Sequence, residues 1–379
     1  LLNDPTLDVR VRAAQSLIVM SQSAGALGLP VAAGRPVLVR DVYPATVANP
    51  RYSEGSVAFL TDGSLLFATT EFVGGAADAA TARIVARSSR DDGRTWGEPR
   101  ILQENTGKQN VMSVTLRRLK PNAVDGPLGL FYLVKNGSTD LKVFFRISND
   151  DGHTFGPPTL VTDRPGYHVM NNDRVTVLAN GRIVCPVAWT ADVSKGGHFV
   201  CRCFFSDDEG KTWKAGSDTV DAPKRGAMEP EVLELADGKL LMIARTQLGH
   251  ITTAISKDGG DHWGDPGTLS VKAPEAPATI RRIPATGDWL LVWNDTYDSK
   301  AGHGGARTPL TVAISSDEGR TWKRVRNLET DADRGFAYTS IAFVRDRLVL
   351  TYYVSEPKSG RISSRFRSLP VADLYEPSR

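Results

Sequence analysis

The sequence predicts an all-β fold, namely a six-bladed β-propeller with a short N-terminal helix. Two observations lead to this prediction. An eight-residue motif occurs five times at a nearly constant spacing, and short apolar segments separated by Gly-containing turns fill the intervals. A fixed period of about 50 residues that is filled with short strands is typical of propeller blades.

The repeated motif reads Ser-x-Asp-x-Gly-x-Thr-Trp, and we call it the Asp-box motif. Its five copies are 59, 58, 50 and 59 residues apart and begin at Ser89, Ser148, Ser206, Ser256 and Ser315. Phe155 replaces Trp in the second copy, and His262 replaces Thr in the fourth. Ser and Asp side chains can bond backbone N–H groups inside a tight turn, Gly supplies a left-handed position, and Trp can pack between blades. The motif therefore predicts a turn that fastens a hairpin, not a catalytic site.

The intervals between the motifs predict the strands of the blades. A strand, a turn such as Asp62-Gly63, a second strand and a third strand running into the motif recur along the chain. The first strands of six blades are expected to begin near Ser56, Val111, Asp173, Glu231, Ala278 and Thr339. The sixth blade, residues 338–369, has no Asp-box motif, and residues 36–43 are expected to supply its outer strand. Residues 36–379 are therefore predicted to form the propeller.

The first 35 residues predict a separate helical fragment and a linker. Residues 3–20 read as an amphipathic helix, with Asp4 as a cap and Pro5 in the first turn. This helix resembles the end of a HEAT-type helical repeat, and a lone helix packed on the propeller is the alternative. Because the chain begins with Leu1, we expect it to be part of a longer protein. Its compartment is not predicted, although an extracytoplasmic one is compatible with the sequence.

Composition narrows the classes of function. Formal net charge is +3, and no basic run is interleaved with aromatic residues, which argues against a nucleic-acid-binding protein. No apolar stretch is long enough to span a bilayer, so no membrane span is predicted. The chain has three cysteines, Cys185, Cys201 and Cys203. Such a small and odd number argues against a disulfide scaffold. Without an accompanying cluster of His or Cys, they predict no metal site.

Five Asp-box motifs on six blades resemble the sialidase (neuraminidase) superfamily over roughly residues 37–369. The resemblance implies a retaining exo-glycosidase that hydrolyses terminal sialic acid, or a related acidic sugar, from glycans. Sialidases use a Tyr nucleophile with a neighbouring Glu as its base, and a separate acid protonates the leaving oxygen. Several Arg residues hold the substrate carboxylate. This chemistry needs no metal and no organic cofactor.

Three segments carry the residues for this resemblance. The segment 229–245 looks like the one that supplies the activating Glu and one carboxylate-binding Arg, which places Glu229 and Arg245 in those roles. Segment 337–341 resembles the family's Tyr-Ser-x-Leu signature and places Tyr338 as the nucleophile. Arg307 lies where the family has its last carboxylate-binding Arg.

The acid and the first Arg are less directly matched. Asp78 lies in the loop 72–81, eleven residues before the first motif, and matches the family's acid/base Asp by position; Glu71 is a competitor. Sialidases open the first blade with Arg-Ile-Pro, but here Ser53 occupies the position of that Arg. Arg51, two residues earlier, is the candidate that could reach in. With Glu54 nearby, this departure favours a different acidic sugar over sialic acid.

Further polar residues precede the predicted third and fifth blades. Asn171, Asn172, Arg174 and Glu275 could recognise sugar hydroxyls or could be solvated loop residues. We take Asn172 and Arg174 as candidate substrate-binding residues. Two other functions stay open: a glycosidase for another acidic sugar, such as a uronic acid, and a glycan-binding propeller without turnover.

Overall fold

The computed structural model describes residues 36–376, except residues 122 and 124. These residues form 25 β-strands and three single-turn 3-10 helices, at Val193–Lys195, Gly302–Gly304 and Val371–Leu374, so the fold is all-β. The helix predicted over residues 3–20 lies outside the described residues, as does its resemblance to a HEAT repeat. Within the described part of the chain, no helix is both long and apolar enough to cross a membrane.

The strands are numbered along the chain. They are β1 (Leu38–Tyr43), β2 (Arg51–Phe59), β3 (Leu65–Phe72), β4 (Ala82–Ser89), β5 (Arg100–Gln103), β6 (Asn110–Arg118), β7 (Leu128–Gly137), β8 (Asp140–Ser148), β9 (Thr159–Leu160), β10 (Gly166–Val169), β11 (Thr176–Val177), β12 (Ile183–Thr190), β13 (Val200–Ser206), β14 (Lys214–Ala215), β15 (Met228–Glu234), β16 (Leu240–Arg245), β17 (His250–Ser256), β18 (Gly267–Lys272), β19 (Thr279–Arg282), β20 (Trp289–Asn294), β21 (Leu310–Ser315), β22 (Lys323–Glu329), β23 (Phe336–Val344), β24 (Arg347–Ser355) and β25 (Ile362–Pro370).

Hydrogen bonds join the described strands into four sheets. Two sheets have four strands, in the orders β15-β16-β17-β18 and β19-β20-β21-β22. The eight-stranded sheet joins the antiparallel group β2–β5 to the antiparallel group β23–β25 through a parallel pairing of Arg51 with Ile362. In the nine-stranded sheet, a short parallel pairing of β10 with β8 likewise joins β6–β9 to β10–β14.

The first described strand pairs with the last one. β1 runs antiparallel to β25, with Leu38 opposite Ser368 and Tyr43 opposite Ser364. The group β23–β25 therefore gains its fourth strand from the other end of the chain. The outer strand predicted for residues 36–43 is confirmed by this pairing.

The five Asp-box motifs form the same turn. In the first copy, Ser89 Oγ accepts a hydrogen bond from Gly93 N at 2.9 Å and donates one to Asp91 Oδ1 at 2.9 Å. Asp91 also accepts bonds from the backbone N of Thr95 at 2.9 Å and from its hydroxyl at 2.6 Å. The same Ser and Asp bonds recur in the copies that begin at Ser148, Ser206, Ser256 and Ser315. The motif is a structural fastener in each copy.

The aromatic residue that ends the first motif packs between two strand groups. The Trp96 ring centroid lies 5.8 Å from that of Phe67 in β3 and 5.2 Å from that of Phe366 in β25. Its Nε1 donates to Gly93 O at 3.0 Å, which holds the indole against its own turn. Gly93 approaches Phe366 so closely that a Cβ atom would lie 2.3 Å from that ring. The first motif therefore joins β2–β5 to β23–β25 by apolar contact.

Gly93→Ala is expected to lower the free energy of unfolding by about 2–4 kcal/mol. Gly93 has a φ of +90°, which strains any L residue, and the new methyl would overlap Phe366. Gly181→Ala is the matched control: Gly181 has a φ of +89°, but a Cβ there would meet nothing within 4 Å. We expect it to cost about 1 kcal/mol from backbone strain alone. Equilibrium urea unfolding measures both, and equal losses would contradict the packing argument.

A buried group of charged side chains lies where the first strands of the groups approach one another. Asp173 accepts hydrogen bonds from Arg117 Nη2 at 2.9 Å and from Arg281 Nη2 at 3.0 Å. Glu231 in β15 pairs with Arg174 and with Arg281. We call these five residues the axial charge cluster. Because the cluster draws residues from separate sheets, it ties these sheets together.

Candidate functional site

A pocket is formed by residues near the starts of β2, β6, β15 and β23. Its polar lining includes Glu54, Asp78, Ser113, Glu229, Arg245 and Tyr338. Its apolar lining includes Met112, Leu133, Leu141, Val169, Val193 and Phe199. A concave site with apolar walls and a few convergent polar groups is typical of small-molecule binding.

Tyr338 and Glu229 meet in this pocket. Tyr338 Oη donates a hydrogen bond to Glu229 Oε1 at 3.3 Å, across two different sheets. Arg245 Nη1 lies 2.9 Å from the other oxygen of Glu229, because Arg245 ends β16 directly opposite Met228 in β15. Burial and the nearby charge of Glu229 raise the pKa of Tyr338, although Arg307 and Arg245 oppose this shift. The phenol therefore carries its proton at rest and points it at a carboxylate that could accept it.

Four pocket residues adopt left-handed backbone conformations at irregularities of their strands. The φ angles are 61° at Glu54, 56° at Ser113, 44° at Glu229 and 58° at Tyr338. The pairing register shifts at each of these positions in β2, β6, β15 and β23. A β-bulge re-aims a side chain that a regular strand would alternate between faces. Strained non-Gly positions that recur around one pocket favour a functional role for it.

Arg307 lies beside the Tyr338 ring. Its guanidinium carbon is 5.3 Å from the ring centroid of Tyr338 and 5.8 Å from that of Tyr353. In the described part of the chain, the Arg307 guanidinium donates one hydrogen bond, from Nη1 to Tyr353 Oη at 2.7 Å. The guanidinium therefore retains N–H groups for a ligand, and its charge would favour an ionised phenol at Tyr338.

Arg51 is held by two carboxylates. Its Nη1 donates to Asp78 Oδ1 at 2.6 Å and to Ala76 O at 3.1 Å, and its Nη2 donates to Glu54 Oε1 at 3.0 Å. Its Nε donates to Ser53 Oγ at 2.9 Å. Four of the five guanidinium N–H groups are thus engaged within the protein. Arg51 reaches the pocket's edge, but it is bound to acidic residues there.

The pKa values of the two carboxyl groups that bind Arg51 shift in opposite directions. Burial raises the pKa of Glu54, although Arg51 and the Ser113 hydroxyl lower it in part. At Asp78, partial desolvation also raises the pKa, but the charge and hydrogen bond of Arg51 outweigh it and leave the pKa below its ordinary value. The Asp78 side chain is 70% exposed and faces the pocket from its loop. Asp78 is therefore ionised at neutral pH in this state.

Asn172 and Arg174 were predicted to bind substrate, and neither is among the described residues that line the pocket. Both are fully buried. Asn172 Nδ2 donates to Gly55 O at 2.6 Å and to Tyr338 O at 3.0 Å, so its amide is used by the backbone. Arg174 pairs with Glu231 in the axial charge cluster. The Asn172 amide nitrogen and the Arg174 guanidinium are thus engaged within the protein.

The remaining candidate residues from the sequence differ in whether they line the pocket. Asn171 lines the pocket. Glu71, the competitor of Asp78, accepts bonds from Tyr52 Oη at 2.9 Å and Arg83 Nε at 2.7 Å, and it is not among the described lining residues. Glu275 is held by Arg225, which itself lines the pocket.

Ser113 and the placement of Glu54 were not found by the sequence reasoning, although a signal existed. Each left-handed pocket residue is followed two positions later by a fully buried polar residue: Ser56, Thr115, Glu231 or Ser340. A search for a polar residue at the same offset in each first strand would have singled out Ser113. It would also have placed Glu54, rather than Ser53, in the position that corresponds to Glu229 and Tyr338.

One group of possible metal ligands occurs in the described residues, away from the pocket. Ligand atoms of Asp258, Asp261 and His262 lie within 4.8 Å of one another. They belong to the fourth Asp-box turn, where Asp258 accepts bonds from the His262 backbone N and Nδ1. Their exposure and their use within the turn make them a structural group rather than a metal centre.

Comparison with known proteins places this chain in a family. Residues 63–350 match the model of the BNR repeat-like domain. The chain belongs to the BNR repeat-like family of the sialidase superfamily. It is 24% identical over 298 residues to the sialidase of Micromonospora viridifaciens, covering 72% of this chain and 45% of that protein. The chain spans about half the length of the curated sialidases it matches.

Several solved structures share the fold of this chain. A Dyadobacter fermentans protein of unknown function matches with a TM-score of 0.71 at 19% identity, over 88% of this chain and 99% of that one. Trypanosoma rangeli sialidase, in complex with the inhibitor DANA, matches with a TM-score of 0.68 at 17% identity, over 88% of this chain and 60% of that one. At these sequence identities, the structural similarity shows only that the chain shares the sialidase fold.

Proposed function

We propose that this chain is a retaining exo-glycosidase that removes a terminal acidic sugar, sialic acid or a relative of it, from glycans. The observation that carries the proposal is the hydrogen bond of 3.3 Å from Tyr338 Oη to Glu229 Oε1 inside a pocket lined by Arg245 and Asp78. A pure glycan-binding protein would have no need of a buried phenol aimed at a carboxylate.

We propose that the strands form a six-bladed propeller, with residues 36–379 as one domain and residues 1–35 as a separate fragment. The first strands of successive groups contact one another in the sequence β2, β6, β11, and then β15, β19, β23 and back to β2. β12, which pairs with β11, contacts β15 and completes the circuit. A closed circuit of six groups, five of four strands and one, β10–β14, of five, is the arrangement expected of six blades.

In the first chemical step, Tyr338 Oη attacks the anomeric carbon and its proton passes to Glu229. The bond to the leaving group breaks, and the leaving oxygen takes a proton from Asp78, which must have taken up that proton before the step because it is ionised in the resting pocket. Tyr suits this role because a carboxylate nucleophile would be repelled by the acidic group on the substrate. Arg307 beside the phenol ring stabilises the negative charge that develops on Oη.

In the second step, water attacks the anomeric carbon and breaks the bond to Tyr338. Asp78, now ionised, accepts the proton of the water, and Glu229 returns its proton to the departing phenolate. The enzyme is restored, and the sugar leaves with its original anomeric configuration. Every proton in the cycle is carried by these three side chains.

The acidic group of the sugar would be held by Arg245 and Arg307. Arg307 has donors to spare, and Arg245 lines the pocket with its Nη1 2.9 Å from Glu229 Oε2, where its charge would also attract the acidic group. Arg51 is committed to Asp78 and Glu54. This commitment favours the second candidate, an acidic sugar other than sialic acid that needs two guanidinium groups rather than three.

A panel of fluorogenic aryl glycosides tests the proposal. We expect the wild type to release the fluorophore from a sialoside or from another acidic glycoside, such as a uronide, and not from neutral hexosides. Cleavage of another acidic glycoside in preference to the sialoside would decide for the second candidate. Saturable glycan binding without turnover of any acidic glycoside would instead establish a binding protein.

Arg51→Gln is expected to shift the pH dependence of kcat/KM. Asp78 must be protonated to act as the acid, so activity falls as pH rises through its pKa. Removing the guanidinium raises that pKa from its lowered value, and the falling limb should move to higher pH. Arg83→Gln, which removes the partner of Glu71 outside the pocket, should leave the limb unchanged. A higher KM with an unshifted limb would contradict this role of Arg51.

A further inference from the structure

The backbone of Tyr338 is held in a conformation that its own strand does not support. Its φ is 58°, in the left-handed region that costs a non-Gly residue about 1–2 kcal/mol. The ladder between β23 and β24 pairs Ala337 with Tyr353 and resumes only at Ser340 with Thr351. Tyr338 therefore lies in the interrupted part of the ladder, and groups outside β23 and β24 must satisfy its backbone.

Asn172, in the turn between β10 and β11, supplies the missing donor. Its Nδ2 donates to Tyr338 O at 3.0 Å and to Gly55 O at 2.6 Å. Since both acceptors are carbonyl oxygens, the amide nitrogen must face them. Gly55 follows Glu54 in the bulge of β2, so one buried amide joins the bulges that carry Glu54 and Tyr338.

Asp173 and Arg174, which follow Asn172, make further hydrogen bonds around the bulge of β23. Asp173 Oδ2 accepts a hydrogen bond from Ile341 N at 3.1 Å, and Asp173 Oδ1 accepts one from Ser56 Oγ at 3.0 Å. Arg174 Nη1 donates to Thr279 Oγ1 at 3.3 Å. Thr279 Oγ1 in turn donates to the carbonyl of residue 339 at 2.9 Å. The buried segment 172–174 thus bonds β23 directly at Tyr338 O and Ile341 N, and through Thr279 at the carbonyl of residue 339.

We propose that Asn172 is a positioning residue that holds Tyr338 in its left-handed conformation and thereby aims the phenol at Glu229 and at the substrate. This inference rests on the proposed function of Tyr338 as the nucleophile. Asn172 touches no substrate; it acts through the backbone of Tyr338. A displacement of the reacting atom by about 1 Å can cost about 100-fold in rate.

Asn172→Ala tests the proposal, with Asn294→Ala as the matched control. Asn294 is also buried, and its Nδ2 also donates to two backbone carbonyls, Pro309 O at 3.0 Å and Phe336 O at 3.0 Å. Phe336 lies in β23 as well, but in its regularly paired part, opposite Val354. Both variants lose the same chemical group and comparable stability, whereas the Asn172 variant alone should release Tyr338.

With the acidic aryl glycoside that the wild type cleaves, Asn172→Ala should lower kcat about 10- to 100-fold and change KM less than about threefold, because Arg245 and Arg307 stay in place. Asn294→Ala should keep kcat within about twofold. In a Tyr338→Phe background, Asn172→Ala should cause no further loss, since the group through which it acts is already gone. An equal kcat for the two Asn variants, or an additive loss in the Tyr338→Phe background, would overturn the proposal.

A crystal structure of Asn172→Ala separates failure of this inference from failure of the proposed function. We expect φ of residue 338 to leave the left-handed region, or the phenol to move away from Glu229. An unchanged Tyr338 would overturn the positioning role even in an active enzyme. If the wild type cleaves no acidic glycoside, the proposed function fails, and the structure still decides whether Asn172 sets the conformation of Tyr338.

Discussion

Tyr338→Phe is expected to lower kcat by about 1,000-fold or more, with a much smaller change in KM. The substitution removes the Oη atom that would bond to the anomeric carbon and the proton that Glu229 would accept, while the ring stays in place. The phenol makes its hydrogen bond to Glu229 at 3.3 Å, so little of the fold depends on it. Steady-state hydrolysis of the acidic aryl glycoside accepted by the wild type measures the effect.

Tyr353→Phe is the control for this prediction. The Tyr353 ring lies 5.5 Å from that of Tyr338, and its hydroxyl also faces Arg307, at 2.7 Å. Loss of this hydroxyl should leave kcat within about tenfold of the wild type, because Tyr353 makes no bond to the reacting carbon. If Tyr338→Phe kept more than a tenth of the activity, Tyr338 could not be the nucleophile.

Asp173→Asn is expected to lower the free energy of unfolding by about 3–5 kcal/mol. Asp173 is 2% exposed and neutralises Arg117 and Arg281 in the axial charge cluster. Removing one partner of a buried ion pair leaves the other charges uncompensated in a medium of low dielectric constant. The Asn amide would also place donor hydrogens against guanidinium donors. Equilibrium urea unfolding, monitored by tryptophan fluorescence, measures the loss.

Asp151→Asn provides the comparison for the charge cluster. Asp151 also pairs with an arginine, Arg118, but its side chain is 18% exposed and lies in a surface turn. We expect a smaller loss than for Asp173→Asn, because Asp151 has a single arginine partner and solvent reaches part of the pair. Similar losses for the two Asp variants would show that burial of the cluster contributes little to stability.

Local chemistry explains what the sequence could predict. The Asp-box motif encodes its turn in a few adjacent residues: Ser89, Asp91 and Gly93 make their bonds with each other and with residues at most four positions away. The meeting of Glu229 with Arg245 follows from a single hairpin. The nearness of Tyr338 to Glu229 was predicted from the resemblance, and the roles of these residues stay predictions.

The remainder of the site depends on contacts between distant parts of the chain. Arg51 was expected to face a substrate carboxylate, yet it is engaged by Asp78, which comes from a loop 27 residues away. Asn172 was expected to bind sugar, yet its amide bonds Tyr338, 166 residues away. Bulges such as that at Glu54 depend on pairing register, which a polar residue in one short strand does not reveal unless the same offset is compared across the first strands.

The most direct test of the retaining mechanism is the anomeric configuration of the first product. Proton NMR, recorded while the wild type hydrolyses the acidic glycoside and before mutarotation, identifies the anomer that forms first. Two successive displacements, through a bond to Tyr338, predict the same configuration as in the substrate. An inverted first product would mean direct attack by water, and it would contradict the role of Tyr338 in this account.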